Sequence, residues 1–142
     1  MILNIQIDLV FGMYAKEDWT GIIEIESSST LEDLHYAIQK AVCFDNDHLY
    51  EFYISRTAHS RDKQRFDDEN EKIFTTVLDD IFPLPKKRKL FYMFDYGDSW
   101  LFQIKRNRNK PHEPIEGNEY PRLVKEIGEV PEQYPNYEDD FI

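Results

Sequence analysis

Residues 3–11 alternate in character: Leu3, Ile5, Ile7, Leu9 and Phe11 fall on one face, and Asn4, Gln6 and Asp8 on the other. A period of two is the mark of a half-buried strand. Gly12 and the polar stretch through Asp18 predict a turn, and residues 21–26 predict a second strand with Ile23 and Ile25 inward and Glu24 and Glu26 outward. Two strands joined this closely form an antiparallel hairpin. Residues 27–30 break the strand, and Ser29 or Thr30 can cap a helix, with Glu32 or Asp33 three residues on. The helix predicted from 31 to about 44 carries Leu31, Leu34, Ile38, Ala41 and Val42 on one stripe. Glu32 and Asp33 early and Lys40 late suit its dipole.

Residues 49–56 predict a third strand. The charge run over 56–72 has only Phe66 as an apolar anchor and predicts a mobile surface loop. A short helical turn over 76–82 stops at Pro83 and Pro85. Alternating segments at 89–95 and 99–106 then flank Tyr96, Gly97 and Asp98, with Gly97 as the residue for a positive φ. This second hairpin is expected at the centre of the sheet. Beyond residue 110 lie five of the seven prolines, and no basic residue follows Lys125. A meandering tail is expected there, pinned by Tyr120, Tyr134, Tyr137 and Phe141. The order strand–strand–helix–strand–short helix–strand–strand predicts an α+β fold: a mixed or antiparallel sheet with one main helix across it, β-grasp-like in sequence order. The expected organisation is one domain over 1–142 with an acidic, proline-rich extension from about 111.

Composition narrows the function classes. With 41% hydrophobic and 15% aromatic residues, the chain can bury a core. Its longest apolar run, residues 90–94, falls far short of the roughly 20 residues a membrane helix needs. The N-terminus lacks the basic start of a signal peptide. Cys43, the one cysteine, is expected as a small buried residue and cannot form an intrachain disulfide. A cytoplasmic setting without membrane contact is expected. The net charge of −11 argues against indiscriminate nucleic-acid binding.

Two segments carry a family resemblance. Residues 30–41 (TLEDLHYAIQKA) lead into 48–52 (HLYEF), and residues 94–100 read FDYGDSW. Together with Tyr120-Pro121-Arg122 and the later Gly128, Pro131 and Glu132, they resemble the plasmid pRiA4b ORF-3-like family. The matched motif positions include Leu34, His35, His48, Leu49, Asp95, Gly97, Asp98 and Trp100. The resemblance implies a fold and little function; some relatives are labelled as passengers of mobile elements. The chain departs from the pattern at residues 18–21, which lack the family's arginines, and in having no cysteine in the C-terminal stretch.

Three constellations could carry chemistry. Asp95 and Asp98 beside Trp100 could form an acid–base or cation site, or simply a turn over a core tryptophan. His35 and His48 could join Asp45, Asp47 or a hairpin carboxylate, or fix the helix-to-strand corner by hydrogen bonds. No HxxxH or HExxH spacing occurs, no phosphate loop or nucleophile elbow is present, and neither metal nor cofactor is expected. The third constellation is basic: Lys86, Lys87, Arg88 and Lys89 precede one hairpin strand, and Lys105, Arg106, Arg108 and Lys110 end or follow the other. Residues 86–110 are formally +6 within a chain of −11. This end could contact an acidic protein or nucleic acid, or be a solvated surface neutralised by the acidic tail. The leading expectation is a non-catalytic binding or adaptor module using the basic hairpin end. Its alternatives are a nucleic-acid-contacting protein of mobile elements and a hydrolase-like enzyme using His35, His48, Asp95 and Asp98.

Overall fold

The computed structural model describes residues 1–12 and 18–133. Strand β1 (Ile2–Phe11) pairs antiparallel with β2 (Thr20–Glu26), setting Ile5 against Ile23 and Leu3 against Ile25. The apolar alternation selects this register, because a one-residue slip would turn every isoleucine to the opposite face. Helix α1 (Leu31–Val42) follows. It opens with a capping box in which Thr30 accepts from the Asp33 amide and Asp33 accepts from the Thr30 amide.

Strand β3 (Tyr50–Ser55) pairs with β5 (Lys89–Phe94), which pairs with β6 (Trp100–Arg106). The β6 strand in turn pairs with β1, so the whole sheet is antiparallel. With β4 (Gln64–Phe66) and β7 (Arg122–Ile127), the order across its seven strands is β4-β3-β5-β6-β1-β2-β7. The β5–β6 hairpin lies centrally, as its apolar alternation predicts.

One face of the sheet carries the main core. Leu31, Leu34, Ile38 and Val42 of α1 meet Ile5, Ile7, Phe52, Tyr92, Phe94 and Phe102 there, all fully buried. Each such aliphatic or aromatic side chain contributes about 1.5–3 kcal/mol on burial. The opposite face holds a smaller cluster of Tyr53, Phe91 and Leu101. Helix α3 (Leu78–Ile81) stands within the turn expected over 76–82, and a second four-residue helix, α2 (Lys72–Thr75), precedes it; together they bury Ile73, Leu78 and Ile81.

Four sequence expectations are corrected. The 56–72 run is not all loop: β4 pairs with β3, and Phe66 is buried opposite Phe52. The 111–133 stretch contains β7, held on β2 by backbone pairing although all six of its residues are exposed. Cys43 is exposed: it ends α1 in a left-handed conformation (φ 58°) rather than filling the core. Gly97 has no positive φ; Asp95 (φ 59°) and Ser99 (φ 55°) take the left-handed conformations instead. Tyr120, half-buried, bonds within its own stretch: its hydroxyl accepts the Ile115 amide at 3.2 Å. Tyr134, Tyr137, Phe141 and the turn residues 13–17 lie outside the described residues.

Candidate functional sites at the two ends of the central hairpin

The tip of the β5–β6 hairpin gathers three of the four candidate acid–base residues. Asp95 leaves β5 with its amide donated to the Leu49 carbonyl and its carbonyl accepting the Ser99 amide at 2.6 Å. Its Oδ1 accepts the amides of Gly97 (3.1 Å) and Asp98 (3.3 Å). Its Oδ2 faces His48 Nε2 at 3.4 Å, and Asp47 Oδ1 lies 3.6 Å from the same nitrogen. Burial, followed by the neighbouring Asp95 carboxylate, raises the Asp98 carboxyl above its usual value, while His48 pulls it back. Gln133 clips this corner from the far end of the chain: its Nε2 donates to Asp47 at 2.9 Å and its Oε1 accepts the Asp45 amide at 2.8 Å.

His35 stands apart. It is buried on α1, stacked on Tyr50 with ring centroids 3.5 Å apart. Its Nδ1 lies 2.6 Å from the Tyr92 hydroxyl, and its Nε2 bonds Asn46 Oδ1. Burial first of all holds its pKa down to about 4, against a smaller raising effect of the Asn46 bond. The imidazole is therefore neutral near pH 7 and fully engaged. Phe94 stands between the two histidines, 6.2 Å from the His35 ring and 5.9 Å from that of His48. The four candidates thus share no cleft. The Ser99 hydroxyl, the nearest potential nucleophile in sequence, donates to the Tyr96 carbonyl at 3.2 Å. Among the described residues, no group of three or more His, Cys, Asp or Glu is placed to hold a metal ion. Trp100 lies fully buried against Phe44, while Leu49 is 63% exposed and serves the corner through its backbone. Leu34 is core.

The other end of the hairpin is cationic. Leu90 pairs with Ile104, which sets Lys89 beside Lys105 where the strands open. Lys86, Lys87, Lys89, Lys105, Arg106, Arg108 and Lys110 are exposed. Arg88 donates to Asp62 at 2.6 Å, and this bond holds the Asp62 carboxyl below its usual value. Lys105 lies 3.7 Å from Asp8. For Lys86, Lys87, Lys89, Arg106, Arg108 and Lys110, no acidic partner stands within 4 Å among the described residues. Asp62 and Tyr92 are distant in the chain from Arg88 and His35, and no local spacing marks them or Asn46 and Gln39 as partners.

Residues 15–135 match the family described as plasmid pRiA4b ORF-3-like protein. A solved structure of a protein of unknown function from Methanosarcina mazei Go1 superposes with a TM-score of 0.70 at 21% identity, covering 88% of this chain and 68% of that one. That likeness is one of fold. No curated protein matches the chain.

Proposed function

The chain belongs to the plasmid pRiA4b ORF-3-like protein family, and from that premise we propose that it is a non-catalytic binding module whose docking surface is the cationic open end of the β5–β6 hairpin. The observation that carries this reading is the set of six exposed cations there without an acid within 4 Å among the described residues. Gathering like charges costs energy, and an acidic partner relieves it. The charge balance of the rest of the chain favours that partner. Residues 86–110 are formally +6 in a chain of −11, so the remainder carries −17. A long polyanion would run past that acidic surface, whereas a short acidic protein segment need only meet the hairpin end. At the tip corner a structural role is favoured over the catalytic alternative, since Asp95 accepts two turn amides through Oδ1 and faces His48 through Oδ2.

A binding series tests this, using a labelled polyglutamate peptide and labelled DNA and RNA at increasing salt. The expected result is saturable peptide binding that weakens with salt. It is lost in a Lys86→Glu/Lys87→Glu/Arg106→Glu/Arg108→Glu variant of unchanged melting temperature. Preferential binding of DNA or RNA, with a log–log salt slope set by phosphate contacts, would reassign the partner to nucleic acid. No binding of any probe would overturn the reading.

A further inference from the structure

A groove of about 340 Å³ opens where the flank of α1 faces the β2–β7 edge of the sheet. Ala37 and Ala41 lie one turn apart on that flank and leave room that larger side chains would fill. Ile23 of β2 and Leu123 of β7 complete an apolar floor. Leu123 is 39% exposed, so part of that floor is open to solvent. The volume falls within the range of small-molecule pockets, roughly 300–1,000 Å³.

The rim carries charge of both signs. Lys40 comes from the last turn of α1, and Glu119 from the segment before β7. Neither has a charged partner within 4 Å among the described residues, and both are exposed. Arg122 also lines the groove, but its Nε is committed to Glu24 Oε1 at 2.8 Å. Among the described residues, the rim charges without an ionic partner are one ammonium and one carboxylate, beside an apolar floor.

We propose that this groove binds a small apolar zwitterion: an apolar α-amino acid, or a short apolar peptide with both termini free. The ligand's side chain covers Leu123, the solvent-open part of the floor, above the buried Ile23, Ala37 and Ala41. Its carboxylate pairs with Lys40 and its ammonium with Glu119. A simple fatty carboxylate would satisfy Lys40 but meet Glu119 with like charge, and a simple amine would do the reverse. The edge strand is poorly suited to a second copy of the chain. Lys125 in its middle and the register shift opposite Ile22 and Ile23 are the devices by which sheet edges resist pairing.

Calorimetric titration of the full chain with L-leucine and with dileucine separates the free amino acid from the peptide. Leucinamide lacks the carboxylate and N-acetyl-leucine lacks the ammonium. The expected result is one-to-one binding of leucine or dileucine, with each blocked analogue weaker by about two- to fivefold, as loss of one solvent-exposed ion pair implies. Lys40→Met should erase the preference for leucine over leucinamide, and Glu119→Gln that for leucine over N-acetyl-leucine. Leu123→Trp changes a partly exposed residue, so it should fill the groove and abolish binding while the fold, followed by circular dichroism, persists. Failure of both zwitterions to bind, or tighter binding of a blocked analogue, would overturn the proposal. So would a concentration-dependent dimer that Leu123→Trp dissolves, since it would give the groove to a second copy.

Discussion

His35 on α1 and Tyr92 on β5, fifty-seven positions apart, share a buried hydrogen bond of 2.6 Å that closes a four-residue ring. Gln39 Nε2 donates to the Tyr92 hydroxyl at 2.9 Å, and Gln39 Oε1 accepts the Asn46 amide at 3.0 Å. Asn46 Oδ1 then accepts from His35 Nε2. With Nε2 donating, Nδ1 must accept the tyrosine proton, so the four bonds of the ring coexist only while the imidazole is neutral. Burial acts in the same direction, holding the Tyr92 hydroxyl protonated, with a pKa well above its usual value.

This ring makes stability depend on pH. The His35 pKa is about 4 in the fold against 6.5 unperturbed. Between those values the unfolded chain binds more protons, so the contribution is complete above pH 6.5 and is lost as pH falls toward 4. The span corresponds to about 3 kcal/mol. Urea unfolding at pH 7.5 and pH 4.5 should show this loss in the native chain. His35→Gln should be less stable at pH 7.5, by about 1–3 kcal/mol for the unsatisfied Tyr92 and Asn46 groups, and should lose less than the native chain on acidification. Equal acid losses in the two proteins would contradict the assignment.

The hairpin turn places its strain at Asp95 and Ser99 rather than at the glycine between them. A Cβ on Gly97 would meet only Asp95 Oδ1, at 3.4 Å. Gly97→Ala should therefore change stability by no more than about 0.5 kcal/mol. Asp95→Ala should cost about 1–3 kcal/mol: it removes the acceptor for two turn amides and keeps a left-handed φ on a residue that tolerates it poorly. Asp95→Asn should be the milder change, because its amide oxygen still accepts and asparagine tolerates that conformation. Denaturant midpoints for the three variants check the ranking.

These two sites mark how far the sequence is legible. The capping box, the β1–β2 register and the β5–β6 hairpin all rest on contacts between near neighbours, and residue spacing reports such contacts directly. His35 sits at the edge of the helical stripe, and nothing local shows that Tyr92 and Asn46 will bury it. The β4 strand hides in a charge run because one residue, Phe66, holds it against Phe52. The β7 strand has no buried residue to announce it. Backbone pairing to β2 and the bonds of Arg122 to Glu24 and of Glu126 to the Trp19 indole fix it. The cationic end was legible because charge counts survive folding; the Arg88–Asp62 pair was not.

Glu24 holds two segments onto the sheet edge: Arg122 Nε at 2.8 Å and His112 Nε2 at 2.9 Å. Burial opposes its ionisation, but the bonds from Arg122 and His112 prevail and leave its pKa below 4.5. The Glu113 carbonyl, and then Glu24, raise His112 above 6.5. The Glu24 contribution is present above pH 4.5 and lost as pH falls through its lowered value. The His112 contribution is present below pH 6.5 and lost as pH rises through its raised value. The stability difference between the native chain and His112→Gln should therefore be widest between about pH 4.5 and 6.5, and shrink at higher pH. Thermal unfolding of both proteins across the range from about pH 4 to 9 checks it; a pH-independent difference would contradict the clamp.

Gly12 lies against the buried Trp100 ring with no room for a side chain. A Cβ on Gly12 would stand 2.4 Å from Trp100 Cε3 and 2.5 Å from Cζ3. Trp100 is fully buried, and its indole N–H has no hydrogen-bond partner among the described residues. Packing against Phe44, 5.0 Å between centroids, and against its other neighbours holds the ring, so it has little freedom to retreat. Gly12→Ala should cost about 1–3 kcal/mol as an overpacked site. Trp100→Phe should destabilise by leaving a cavity, yet it removes the ring atoms that the added methyl would strike. The double variant Gly12→Ala/Trp100→Phe should then lose less than the sum of the single changes, with a coupling of about 0.5–3 kcal/mol. Strict additivity in chemical denaturation would mean that the two residues do not touch.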